Sequence, residues 1–359
     1  MTLLASDFRW PEPFSAAFAV CNDIDGTDLP RYRLLRDFFQ TTRSTEFGPG
    51  LGWPMGNAVF AVNGAPETDP AVSLWDAGGR PTEAFGELAE DLAAGRLTIN
   101  HAWGNFNERG GFRREMAERM VVLLQEMRVS LPVWSNHGDR FNTQNMGIVN
   151  PAAAGDDPDA EVYHLDLVRR AGARFFWMGD IVALPFQGRP ATLLQRIRPL
   201  GASRREGGRW LVLPVAAAVA LLPGGKLRDV CRRVLHKTGF DYHTPASPVR
   251  RHTFRDGSTG WVFCRYGNWS QATADRIHAM LAPGRVDELV ATGGAMIFYT
   301  HLGQGRLGRE DLDALRRLDG LYRRGILWIA KIEDILDHIL RAMPEELSRP
   351  PGAGVGNRG

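Results

Sequence analysis

Short, wholly apolar runs alternate with amphipathic stretches along most of this 359-residue chain, and that alternation restricts the fold more than any other feature. Runs at 16–21 (AAFAVC), 97–100, 131–134, 174–178, 295–300 (AMIFYT) and 326–330 have strand length and little polar alternation, as expected of parallel strands covered on both faces. Between them lie helical patterns at 84–94, stopped by Gly95, and at 162–170, with Gly172 placed as a C-cap. Met116, Met120, Leu123, Leu124 and Met127 share one face of a further helix. Helices are also expected at 309–324 and 332–342. The class is therefore α/β, with βα units around a mostly parallel sheet. Residues 1–345 read as one domain, with 187–258 as an insertion or lid and 346–359 as a disordered, Pro/Gly-rich tail.

In such folds, sites collect where strands end, so polar clusters directly after apolar runs carry the chemistry. Four occur: NDIDGTD after the first strand, NHAWGN after Ile99, SNHGDR after Trp134 and THLG after Tyr299. They bring carboxylates, imidazoles and amides together, the inventory of a metal ion with an acid and a base beside it. Asp23 and Asp25 can divide the work, one binding a cation and the other accepting a proton; alternatively, one of them caps the next helix. His101 and Asn105 are four residues apart, which on a helical turn would aim both at one ion. His137 can be a ligand, a substrate contact or an ordinary loop residue. His301 closes an apolar strand and is expected to face the strand-end mouth. The other six histidines lie in helical or polar stretches and read as surface or structural.

Composition excludes several classes. The 43 basic and 41 acidic residues leave a formal charge of +2, so no broad electrostatic footprint for nucleic acid is present. Cys21, Cys231 and Cys264 are widely spaced, with no Cys-x-x-Cys pair, so neither a disulfide framework nor a thiolate zinc site is signalled. The apolar stretch at 210–222 is too short for a membrane span and contains Pro214. No basic, apolar leader opens the chain, so the expectation is a cytoplasmic protein.

The order of the clusters resembles the polysaccharide deacetylases, carbohydrate esterase family 4, from about residue 16 to 342. Asp23-Ile24-Asp25-Gly26 is similar to the family's paired-Asp first motif. Asn100-His101-Ala102-Trp103-Gly104-Asn105 resembles its His-rich second motif, with Asn105 where the second His stands. LVRRAGARFFW, MIFYTHLG and GILWIAKIEDILDHIL are similar to its later helix–turn–strand, strand–His and strand–helix patterns. The family's Arg-x-Pro-Tyr motif is absent, so the Arg that would orient a catalytic Asp is unassigned. The resemblance implies a distorted (β/α) barrel and a metal-dependent carbohydrate N-deacetylase acting on an N-acetylated sugar or glycan precursor of surface-polysaccharide synthesis. It further implies Asp23 as general base, His301 as general acid, and Asp25, His101 and Asn105 around Zn²⁺. His137 is the alternative third ligand; Asn105 is preferred because its spacing from His101 fixes its direction. Two other readings remain. Asp23-Ile24-Asp25-Gly26-Thr27 also matches the first motif of haloacid dehalogenase-type phosphatases, although no Lys precedes Lys226 to serve that chemistry. A barrel that binds glycans without catalysis is the other.

Overall fold

The computed structural model describes residues 9–106, 111–138, 142–147, 153–182, 184–189, 192, 195, 248–267 and 272–342. Its centre is a curled, mostly parallel sheet flanked by helices, an α/β barrel-like arrangement. Strand β1 (Ala16–Asn22) is buried at every position, as its unbroken apolar run requires. It lies parallel to β2 (Asn57–Asn63) on one side, and β2 is followed in space by β3 (Leu97–His101), β4 (Val133–Ser135) and β5 (Phe175–Trp177). The row continues from β5 to β6 (Thr259–Phe263), which pairs Trp261 with Phe175. Only Cys264 separates β6 from β7 (Arg265–Tyr266), and β7 pairs through Tyr266 with Phe298 of β8 (Ala295–Thr300). Strand β8 runs beside β1 from Ala17↔Ala295 to Asn22↔Thr300. One stretch of eight residues, 259–266, thus joins the two ends of the curl.

Helices cover the outside of the sheet for reasons visible in their sequences. Helix α1 (Leu29–Gln40) starts at Asp28, whose carboxylate accepts the Arg31 N–H at 2.8 Å. It buries Leu29, Tyr32, Leu35, Phe38 and Phe39. Helix α2 (Phe85–Ala93) is followed by Gly95 at φ 66°. Helix α3 (Arg114–Met127) buries Ala117, Met120, Val121 and Leu124, one stripe at helical spacing. Each such large apolar side chain taken out of water stabilises the fold by about 1.5–3 kcal/mol. Helices α4 (Leu165–Arg170), α5 (Pro283–Thr292), α6 (Arg309–Arg323) and α7 (Ile332–Arg341) follow, with one short helical turn, Ile277–Met280, before α5. Among the described residues no helix is long and apolar enough to cross a membrane.

The expected strands and helices are present to within a few residues, and 295–300 to the residue. Strands β2, β6 and β7 and helices α1 and α5 are additions to that reading. The described ends of 187–258 belong to the sheet rather than hanging from it. Gln187 exchanges both backbone hydrogen bonds with Ala295 at 2.6 and 3.0 Å, and Val249–Thr253 pairs antiparallel with β6. Most of that segment, with the apolar stretch at 210–222, Cys231 and the 346–359 tail, lies outside the described residues.

At the opposite end of β3 from His101, the Glu333 carboxylate of α7 is buried, with Thr98 donating to it at 3.4 Å. Burial pushes it up from 4.5 to about 7. A carboxyl raised on folding holds its proton in the native state while the unfolded chain has already released it. Stability should therefore fall as pH rises from about 4.5 to 7 and stay lower above that. The full contribution is on the order of 3 kcal/mol. Glu333→Gln is expected to remove this decline, so that denaturant unfolding at pH 8 finds the variant more stable than the parent, while at pH 4 the two nearly coincide.

Candidate metal and acid–base site

The ends of β1, β3, β4 and β8 open on one mouth, a cavity of about 220 Å³ whose wall includes Asp23, Asp25, His101, His137, His301 and Trp177. Asp23 continues the β1–β8 ladder, its N–H donating to Thr300 O at 2.9 Å. Beyond buried Ile24, Asp25 leads into Gly26, which turns the chain at φ 69°. The loop after His301 packs so closely here that a Cβ on Gly303 would lie 2.0 Å from Thr27 Oγ1. The helix cap that Asp23 or Asp25 could have supplied is Asp28 instead, which leaves both carboxylates for the mouth.

His101 is the last residue of β3. Ala102 and Trp103 then adopt left-handed conformations, φ 51° and 58°, at a cost of about 1–2 kcal/mol each. The Trp103 ring, packed against Trp134 and His164 with centroids at 5.8 and 6.2 Å, holds that turn. This corrects the helical-turn argument for Asn105. The chain is extended and sharply turned, Gly104–Asn105 pairs with β2, and the Asn105 amide donates to Asp69 Oδ2 at 3.3 Å. His137, by contrast, is aimed locally. Asn145 accepts from the His137 N–H at 2.9 Å and donates to its carbonyl at 2.5 Å. His137 Nε2 lies 2.6 Å from Asp25 Oδ1.

His301 Nε2 is 3.5 Å from Asp25 Oδ2 and 3.9 Å from Asp23 Oδ2, while its Nδ1 faces the Ala272 carbonyl at 3.2 Å. His101 bridges the same pair, Nδ1 3.5 Å from Asp25 Oδ2 and Nε2 3.7 Å from Asp23 Oδ2. The five residues singled out at three strand ends and beside Trp134 therefore meet, and Asn105 stands behind them on Asp69.

Two residues escaped the sequence reading. Arg265, fully buried on β7, donates to Asp23 Oδ2 at 2.8 Å and to Ser135 Oγ at 2.6 Å. Its guanidinium lies 3.7 Å from the centre of the Trp177 ring. Its only sequence sign is a charge inside the apolar stretch GWVFCRYGN. Asp69, on the loop after β2, accepts from the Gly26 and Ala71 N–H groups at 2.6 and 3.2 Å.

Charge in the mouth follows from these contacts. Burial alone would raise Asp23, but Arg265, with His101 and His301 near it, holds its carboxyl below the usual range. Asp25 is likewise held low against its burial by the surrounding imidazoles. Burial pushes His101 down to about 4, so it is the neutral, ligand-competent imidazole at pH 7. Asp25 Oδ2, His101 Nδ1 and His137 Nδ1 are buried without a hydrogen-bond partner. Orphaned polar atoms cost about 1–3 kcal/mol each, and a cation would satisfy two of these directly. The 3.5 Å between Asp25 Oδ2 and His101 Nδ1 suits that use. Two ligands about 2.0–2.1 Å from one ion at a tetrahedral angle stand about 3.4 Å apart. This buried Asp–His group can hold a metal ion. Asp180, the acidic residue that follows β5, pairs with Arg250. No family model matches the chain, and no curated protein matches its sequence.

Proposed function

We propose that this protein is a metal-dependent carbohydrate N-deacetylase, a hydrolase that removes the acetyl group from an N-acetylated sugar or glycan precursor on a distorted (β/α) barrel of the polysaccharide deacetylase type. The observation that carries the reading is the division of labour between two neighbouring carboxylates. Asp23 is locked to Arg265 at 2.8 Å, whereas Asp25 faces three imidazoles. An aspartate paired with a guanidinium stays ionised and oriented, the state a general base needs. An aspartate among imidazoles is a ligand set, with Asp25 and His101 on one side and His137 at the other carboxylate oxygen. One carboxylate and two imidazoles favour Zn²⁺. When bound, the cation supplies Lewis acidity and makes water nucleophilic near neutral pH.

The chain's own groups account for the remaining steps. Asp23 accepts the proton of the water that attacks the amide carbonyl. His301, its ring fixed by the Ala272 carbonyl, delivers a proton to the departing amine nitrogen. The C–N bond breaks, leaving acetate and a free amino sugar. Trp177 and Tyr299, stacked with centroids at 5.7 Å, wall the cavity and hold the Arg265 guanidinium against them. Acetate release from a panel of N-acetylated sugars, beside phosphate release from p-nitrophenyl phosphate, tests the proposal. The expected result is acetate with zinc-loaded protein and no phosphate. Phosphate without acetate would replace this reading with a phosphatase, and neither product would leave a binding barrel.

A further inference from the structure

We infer that the mouth has a second cation position, formed by Asp25, Asp69 and His137, with the Asp25 carboxylate shared between the two positions. The inference rests on the reading that this mouth binds a metal at all, and extends it from one ion to two.

The two oxygens of Asp25 face different partners. Oδ2 looks to His101 Nδ1 at 3.5 Å, and Oδ1 to His137 Nε2 at 2.6 Å. Ligand atoms of Asp23, Asp25 and His101 lie within 4.8 Å of one another, and likewise those of Asp25, Asp69 and His137, so with two ions bound His137 serves the second position while Asp25 and His101 keep the first, with Asp23 beside it as the base. A carboxylate presented in this way bridges metal ions about 3.5–4 Å apart in two-metal hydrolytic sites. Asp69 is built for the role. Its donors are two backbone N–H groups and the Asn105 amide, all neutral, and no Arg or Lys among the described residues pairs with it. They fix its orientation without cancelling its charge, as outer-shell partners of a ligating carboxylate do. The short Asp25–His137 hydrogen bond is the contact whose proton a cation would replace. Asn105 then has a purpose that a ligand role does not require, because it holds Asp69 from behind.

The test is the number of ions bound by the full-length protein. Equilibrium dialysis against Zn²⁺ followed by metal analysis is expected to give two ions per chain, falling to one in Asp69→Asn. Because that variant can fail to fold, the second measurement uses the parent protein loaded with Mn²⁺. Two Mn²⁺ ions sharing a carboxylate couple magnetically, so the paramagnetic resonance spectrum at two equivalents should be that of a coupled pair. Saturation at one ion, a spectrum of isolated Mn²⁺ only, or two ions retained by folded Asp69→Asn would overturn the inference and leave the hydrolase proposal standing. No bound ion would defeat both.

Discussion

Replacing Arg265 with methionine is expected to destabilise the protein by about 3–5 kcal/mol, the largest effect of any single change at the mouth. The guanidinium is fully buried and touches Asp23, Ser135 and the Trp177 ring together. Its removal leaves the buried Asp23 carboxylate charged without its counter-ion, and burial then raises that carboxyl instead of Arg265 holding it low. Arg265→Lys should recover part of the loss at most, since an ammonium cannot reach both oxygens and lie flat on the indole. Urea unfolding measures the difference directly. An Arg265→Met protein as stable as its parent would mean that Asp23 is neutral in the fold, and its assignment as an ionised base would fail.

Asp23→Asn should lower turnover by about 10²–10⁴-fold, the usual contribution of a general base, while bound metal stays nearly unchanged. The amide keeps the shape of the carboxylate and its oxygen can still accept from Arg265, so the geometry is kept, although the buried guanidinium loses its counter-charge and stability falls. What disappears is the proton acceptor 3.7 Å from His101 and 3.9 Å from His301. Steady-state kinetics with parallel metal analysis separate the two roles. Loss of metal along with activity would make Asp23 a ligand and reverse the assignment within the pair.

Much of the mouth was legible because its residues follow apolar runs. Asp23, His101 and His301 sit at or just past the ends of β1, β3 and β8, where a buried strand has to release its first polar side chains. What remained hidden depends on distance along the chain or on backbone shape. Arg265 meets Asp23 across 242 residues and Ser135 across 130, and it stands where the missing Arg-x-Pro-Tyr motif gave no indication. Asn105 was misdirected because Ala102 and Trp103, neither a glycine, turn left-handed, and no residue type in that stretch announces it. His137 looked unaimed for a related reason, since the Asn145 amide that clamps it lies eight residues on, in a stretch without regular structure. Strand β2 escaped because NAVFAVN is an apolar core between two asparagines, both of which turned out to be buried.

Turnover is expected to require a divalent cation held by Asp25 and His101. The decisive measurement is metal analysis of the purified protein and of Asp25→Ala and His101→Ala, with acetate release followed before chelation, after it and after zinc is restored. Bound metal is expected in the parent, with its loss from that position in both variants, and hydrolysis should disappear with the chelator and return with zinc. A parent protein that releases acetate with no metal bound, or variants that keep both full metal content and full activity, would contradict that requirement.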